Sequence, residues 1–186
     1  MEKRVDSLAG LGLTDEQSRA LAGEMSELQV GKGEEVFGQG DTVKNLYILQ
    51  RGLIKLVYYT ADGKELIKSF IKEGDLFGSL VSQLGEGGAT FSAVCIEESS
   101  LKVFPYRVFK ALIEESPAAQ WYALNFFQQL ALRKEIREYE FLCLSAETRY
   151  RKFLAEYSML AERITQQDLA RYLGITPIAL SRIKNR

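Results

Sequence analysis

Residues 46–71 read LYILQRGLIKLVYYTADGKELIKSFI. Three short runs, Leu46–Leu49, Leu53–Tyr59 and Leu66–Ile71, are divided by Gly52 and by Ala61-Asp62-Gly63. Asp-Gly tolerates the positive φ of a tight hairpin turn, so the second and third runs are predicted to pair antiparallel. The same texture continues on both sides, in Glu35–Phe37, Phe91–Ile96 and Leu101–Phe104. Many short strands at regular spacing, with no helical period between them, predict an antiparallel β sandwich or jelly roll rather than a parallel sheet.

Helical periods flank this block. Residues 12–27 place Leu13, Ala20, Leu21 and Met25 on one side, with Thr14-Asp15-Glu16-Gln17 as a capping box at the start. After Pro105 the helical period returns and persists. Tyr106–Glu115 predicts a short helix, and Pro117 opens a long one reaching about Leu142. Its positions Trp121, Leu124, Phe127 or Gln128, Ala131 or Leu132, Glu135, Tyr139 and Leu142 follow a three-four spacing with polar interruptions. Such a helix carries more apolar surface than a small β domain covers. Pairing with a second copy through Trp121, Leu124, Gln128, Leu132 and Tyr139 would bury it; packing back on its own β domain is the alternative.

The end of the chain, RITQQDLARYLGITPIALSRIKNR from Arg163 to Arg186, has the most specific syntax. Thr165 caps a helix with Asp168 at its third position, and Ile164 with Leu169 forms a hydrophobic staple. Gly174 stops that helix. The grammar then restarts, with Thr176 as N-cap, Pro177 at the first helical position and Ile175 with Leu180 as the second staple. Two short helices joined by a glycine turn predict a helix-turn-helix. Ala179, Leu180 and Ile183 turn inward, which leaves Ile178, Ser181, Arg182, Asn185 and Arg186 on the opposite face. That face suits a DNA major groove: Arg182 can pair with guanine, Ser181 with a base or phosphate, and Ile178 with a thymine methyl. Lys184 and Arg171 are expected to contact phosphates. An ordinary helical hairpin with a polar face is the bland alternative.

Charge agrees with this division. The 186 residues carry a net charge of −1, but Thr148–Arg186 holds eight basic residues against three acids, a balance of +5 that leaves −6 for the rest. A basic end on an acidic body fits nucleic-acid binding, although a solvated basic face would look the same. A hydrophobic content of 46% supports a real core, and three prolines without low-complexity sequence predict a folded chain. The first residues meet acids before any apolar run, and the longest uncharged run, Ser116–Leu132, contains Asn125 and three glutamines. A cytoplasmic protein is therefore expected. Cys95 and Cys143 lie far apart and read as free thiols. Histidine is absent, which removes the commonest general base and metal ligand, so no metal site and no enzyme of the metal-dependent jelly-roll kind is expected.

The order of parts, together with Gly33-Glu-Glu-Val-Phe-Gly-Gln-Gly40-Asp41, Leu46-Tyr-Ile-Leu-Gln-Arg-Gly52, Gly74-Asp-Leu-Phe-Gly78, Leu144-Ser-Ala-Glu-Thr-Arg149 and the terminal Asp168–Arg182 stretch, resembles the Crp/Fnr family of bacterial transcription regulators across nearly the whole chain. The resemblance implies an α+β chain in three parts. Residues 1–116 would form a cyclic nucleotide-binding-like β roll with flanking helices, 117–143 a dimerisation helix, and 144–186 a short helix-turn-helix domain with no wing in the sequence. It implies a homodimer on double-stranded DNA, with RNA polymerase as a further partner, and a β-domain ligand that shifts the balance between two dimer arrangements.

The resemblance also implies where a ligand would sit. Residues 77–90, FGSLVSQLGEGGAT, match the phosphate-binding loop, so Gly78, Ser79, Gly87, Gly88, Ala89 and Thr90 are the candidate pocket. Members that bind cyclic nucleotides carry a glutamate and an arginine where this chain has Ser79 and Ala89. Loss of the cation argues against cAMP, because each charge-assisted hydrogen bond is worth about 1.5–3 kcal/mol. A different small-molecule effector, or none, is expected. A ligand-binding or protein-interaction module of the same fold, without sequence-specific DNA binding, remains the second reading.

Overall fold

The computed structural model describes residues 13–185. Arg186, assigned above to the DNA face, lies outside them. The elements run in chain order as α1 (Asp15–Gly23), β1 (Ser26–Val30), β2 (Glu35–Phe37), β3 (Asn45–Arg51), β4 (Ile54–Tyr59), β5 (Glu65–Ile71), β6 (Leu76–Phe77), α2 (Leu80–Gln83), β7 (Ser92–Cys95), β8 (Ser99–Pro105), α3 (Tyr106–Glu115), α4 (Pro117–Cys143), α5 (Ala146–Glu156), α6 (Ser158–Ala161), α7 (Gln166–Leu173) and α8 (Pro177–Lys184). Two four-stranded antiparallel sheets, ordered β1-β8-β3-β6 and β2-β7-β4-β5, make the β roll.

Alternation puts Tyr47, Leu49, Ile54, Leu56, Phe77, Phe91 and Leu101 between the sheets, where they form one core with Phe37. The Asp62-Gly63 hairpin forms between β4 and β5, with Gly63 at φ 77° and Thr60 bridging the turn to Asp62 and Lys64. A second core joins α1, α3 and the first turns of α4 to β3 and β8 through Leu21, Ile48, Phe104, Phe109, Leu112 and Tyr122.

One expectation of the fold needs correction. The helical reading of residues 12–27 runs too far, because α1 ends at Gly23 and Ser26–Val30 pairs with β8 instead. Met25 and Leu28 fit a helical spacing, but a partner strand some 70 residues later settles the conformation. The capping box itself forms, with Thr14 and Gln17 exchanging side-chain to backbone bonds. Among the described residues, no helix is long and apolar enough to cross a membrane.

The long helix divides into two faces. Ala119, Tyr122 and Ala123 are buried and Phe126 packs beside them against the β roll, and further along the helix Arg137 meets Tyr172 and Phe141 lies beside Gly174. The opposite arc carries Trp121, Leu124, Leu132, Ile136, Tyr139 and Leu142, all exposed, the first by 66%. Gln128 lies in the same arc and is exposed. Packing on its own β domain therefore accounts for one face only.

Candidate nucleic-acid interface and β-roll site

The helix-turn-helix forms from the caps the sequence supplies. Thr165 Oγ1 accepts the Asp168 N–H at 3.0 Å and starts α7, and Thr176 Oγ1 accepts the Ala179 N–H at 3.2 Å and starts α8. Between them Gly174 takes φ 69°. A Cβ there would lie 2.6 Å from the Phe141 ring, so both the left-handed backbone and the space demand glycine. Ile164, Leu169, Leu173 and Leu180 form a buried cluster with Phe153 and Leu160. Fully burying a leucine is worth about 1.5–3 kcal/mol, so Leu180 fixes the rotation of α8.

That rotation sends Ile178, Ser181, Arg182, Lys184 and Asn185 to solvent, with Ile178 68% exposed. Thr176 and Pro177 begin the same exposed surface. Lys184 Nζ donates to Gln166 Oε1 at 3.1 Å. Among the described residues, Arg182 has no ion-pair partner. The Arg149 guanidinium closes the C-terminal end of α7 by donating to the Leu173 carbonyl at 3.0 Å and to the Leu144 carbonyl at 2.7 Å.

Arg171 sits elsewhere than the phosphate-facing assignment requires. It points toward the β roll, paired with Glu65 and 4.0 Å from Asp168, while Lys55 Nζ donates to Asp168 Oδ1 at 2.9 Å and lies 3.8 Å from Glu65. Burial acts to raise the Asp168 pKa, but bonds from Lys55 and Thr165 outweigh it and hold the carboxyl below its usual value. Between β5 and α7, Phe70 packs on Tyr172 with centroids 5.3 Å apart. Arg137 of α4 stacks on Tyr172 at 3.7 Å and donates to its carbonyl.

A second ionic cluster lies just before α7. Arg163 donates to Glu73 at 2.7 and 3.0 Å, to Glu97 at 2.7 and 2.9 Å and to the Gly52 carbonyl at 2.9 Å. Bonds from Arg163 hold the carboxyls of Glu73 and Glu97 below the ordinary range. Arg163 and Arg171 thus tie the helix-turn-helix to the acidic β roll. The +5 of the last 39 residues overstates the positive charge open to a ligand.

The glycine loop is not an open cradle in this structure. Ser79 and Ala89 are 0% and 2% exposed. A Cβ on Gly88 would lie 2.3 Å from the Gly40 carbonyl, and Ala89 exchanges backbone bonds with residues 40 and 41. Gly78 is closed over by Gln83 and the Asn45 carbonyl. Only Gly87 and Thr90 of the six candidates are exposed; Gly88 is half-buried. The segment packs as a corner because Ala89 bonds through its backbone to Gly40 and Asp41, while Ser82 Oγ accepts the Val43 N–H and Gln83 donates to the Asn45 carbonyl.

A β roll of this topology joined by a long half-exposed helix to a helix-turn-helix defines a class of two-domain regulator architecture. Residues 27–116 match the family described as cyclic nucleotide-binding domain. The chain is 29% identical over 175 residues to the fumarate and nitrate reduction regulatory protein of Salmonella typhimurium strain LT2, covering 84% of this chain and 66% of that one. The protein of the same name from Vibrio cholerae serotype O1 is 28% identical over 173 residues, with the same coverage. The chain thus spans 66% of the length of these relatives. Among solved structures, the Thermus thermophilus catabolite activator protein is 26% identical with a TM-score of 0.58, covering 94% of this chain and 83% of that chain. FixK2 of Bradyrhizobium japonicum shares the fold at TM-score 0.77 and 19% identity, covering 87% and 83%. The chain is thus similar to regulators of the Crp/Fnr kind, and its β roll to cyclic nucleotide-binding domains.

Proposed function

We propose that this chain is a dimeric, DNA-binding transcription regulator whose β roll is an effector domain for something other than cAMP. The observation that carries the reading is the solvent-facing side of α8, where Ile178, Ser181, Arg182 and Asn185 stand free while Leu180 is buried behind them. A second copy is the natural occupant of the mostly apolar arc of α4, which runs from Trp121 to Leu142, interrupted by Gln128, on the side away from the β roll. A two-fold pair of α8 helices then meets two half-sites about one DNA turn apart, 34–36 Å.

Ser79 and Ala89, buried and uncharged, support exclusion of cyclic nucleotides as effectors, since the glycine loop offers no cation to a cyclic phosphate. No catalytic role is proposed for any residue. RNA polymerase belongs to the proposal only as a further partner of the DNA-bound dimer.

Arg182→Ala tests the reading. Against a selected target duplex, the variant is expected to lose about 1–3 kcal/mol of discrimination, while its weak binding to unrelated DNA falls little. Measured at two salt concentrations, the unmodified chain should bind less tightly at the higher one. Equal affinity for target and unrelated DNA in both proteins would favour an interaction module instead.

A further inference from the structure

The turn from which α8 starts is held by two guanidiniums that reach it from α4 and α5. Arg137, near the end of α4, donates to the Tyr172 carbonyl and, at 3.5 Å, to the Ile67 carbonyl of β5. Arg149, in the first turn of α5, donates to the Leu144 carbonyl at 2.7 Å and to the Leu173 carbonyl at 3.0 Å. Tyr172 and Leu173 are the last two residues of α7. Their carbonyls are among those a helix leaves without an internal partner, at the negative end of its dipole.

Aromatic rings fix the two cations further. Arg137 lies 3.7 Å from the centroid of Tyr172 and 4.4 Å from that of Phe141, and Arg149 lies 4.9 Å from the Phe141 centroid. The same Phe141 ring occupies the space where a Cβ on Gly174 would fall. Among the described residues neither guanidinium makes an ion pair, in contrast to Arg163 and Arg171, which meet carboxylates. A planar fork that answers carbonyls and stacks on rings supplies geometry rather than charge pairing. Arg137 alone joins α4, β5 and α7 in this way among the described residues. One glycine later the chain enters the Thr176 cap of α8, so a small rotation at Gly174 swings the far end of that helix.

We propose that Arg137 is a positioning residue for DNA reading: with Arg149 on the adjacent carbonyl, it fixes the angle at which α8 leaves the turn, and it is the contact through which the β roll sets the separation of half-sites. The inference rests on reading α8 as the helix that meets DNA. Arg137 touches no DNA in this role and acts through Tyr172 and Gly174.

The test uses the target duplex selected by the unmodified full chain, with the separation of its half-sites varied one base pair at a time. The unmodified chain is expected to favour one separation sharply. Arg137→Met should bind that duplex about tenfold more weakly and should no longer distinguish its separation from the neighbouring ones. Arg137→Lys keeps the charge but not the fork, so the same loss of spacing preference is expected; this milder change carries the test if Arg137→Met unfolds. Binding weakened by one common factor at every separation would reveal a merely structural role and overturn the proposal. An unchanged spacing profile, or full activity in Arg137→Lys, overturns it too. An intact profile in the variants refutes this inference alone, whereas failure of the unmodified chain to select any sequence refutes the regulator reading and this inference with it.

Discussion

Leu132→Asp combined with Tyr139→Asp is expected to convert the proposed dimer to a monomer, raising its dissociation constant on the order of 100-fold or more. Both side chains are about half exposed in the single chain and lie in one arc of α4 with Trp121, Leu124, Ile136 and Leu142. They touch no core, so the monomer should remain folded. Each apolar side chain buried in a two-helix seam contributes about 1.5–3 kcal/mol, and an aspartate placed there must be desolvated as well. Sedimentation equilibrium reads the result directly. Cys143 supplies an internal check, being exposed at the end of the same arc while Cys95 is buried. In a parallel pair the two Cys143 thiols approach one another, and a short bis-maleimide should link the unmodified protein but not the double variant. A dimer that survives both aspartates would place the interface on another surface.

Arg163→Ala is expected to cost about 2–4 kcal/mol of stability, concentrated at the junction between the β roll and the helix-turn-helix. The side chain is about one-third exposed, which moderates the figure, but its removal leaves Glu73 and Glu97 facing each other without the cation between them. Thermal unfolding should show a lower midpoint, and limited proteolysis should cut first between α5 and α7. The same junction has a defined acid response. Arg163 depresses the folded pKa of Glu73 and of Glu97, so their contribution is complete above the ordinary carboxylate range and is lost as pH falls through their lower folded values. The unmodified protein should therefore lose stability below about pH 4.5 more steeply than Arg163→Ala. Parallel acid profiles for the two proteins would show that the pair of glutamates carries no coupling to Arg163.

Much of this architecture is local and so is readable from the chain. The Asp62-Gly63 turn, the Thr14, Thr165 and Thr176 caps and the Gly174 stop each depend on a few neighbouring residues, and each forms where those residues stand. The inward set of α8 follows from a helical period alone. What was not readable depends on distant partners. β1 is a strand because β8 lies beside it, and the two-residue β6 exists only as a pairing with Tyr47 and Ile48. Arg163 and Arg171 look like free positive charge in the sequence, yet their carboxylates come from Glu65, Glu73 and Glu97, far back along the chain. The glycine loop misleads for the same reason, since Ala89, Ser82 and Gln83 tie it to residues 40–45.

Selection of DNA ligands from a random-sequence pool by the purified full chain tests the central claim most directly. The proposed dimer with two outward α8 helices predicts enrichment of an inverted repeat whose half-site centres lie about 10–10.5 base pairs apart, and binding that collapses when half a helical turn is inserted between them. Recovery of no enriched sequence, or of single half-sites bound equally well at any spacing, would contradict it.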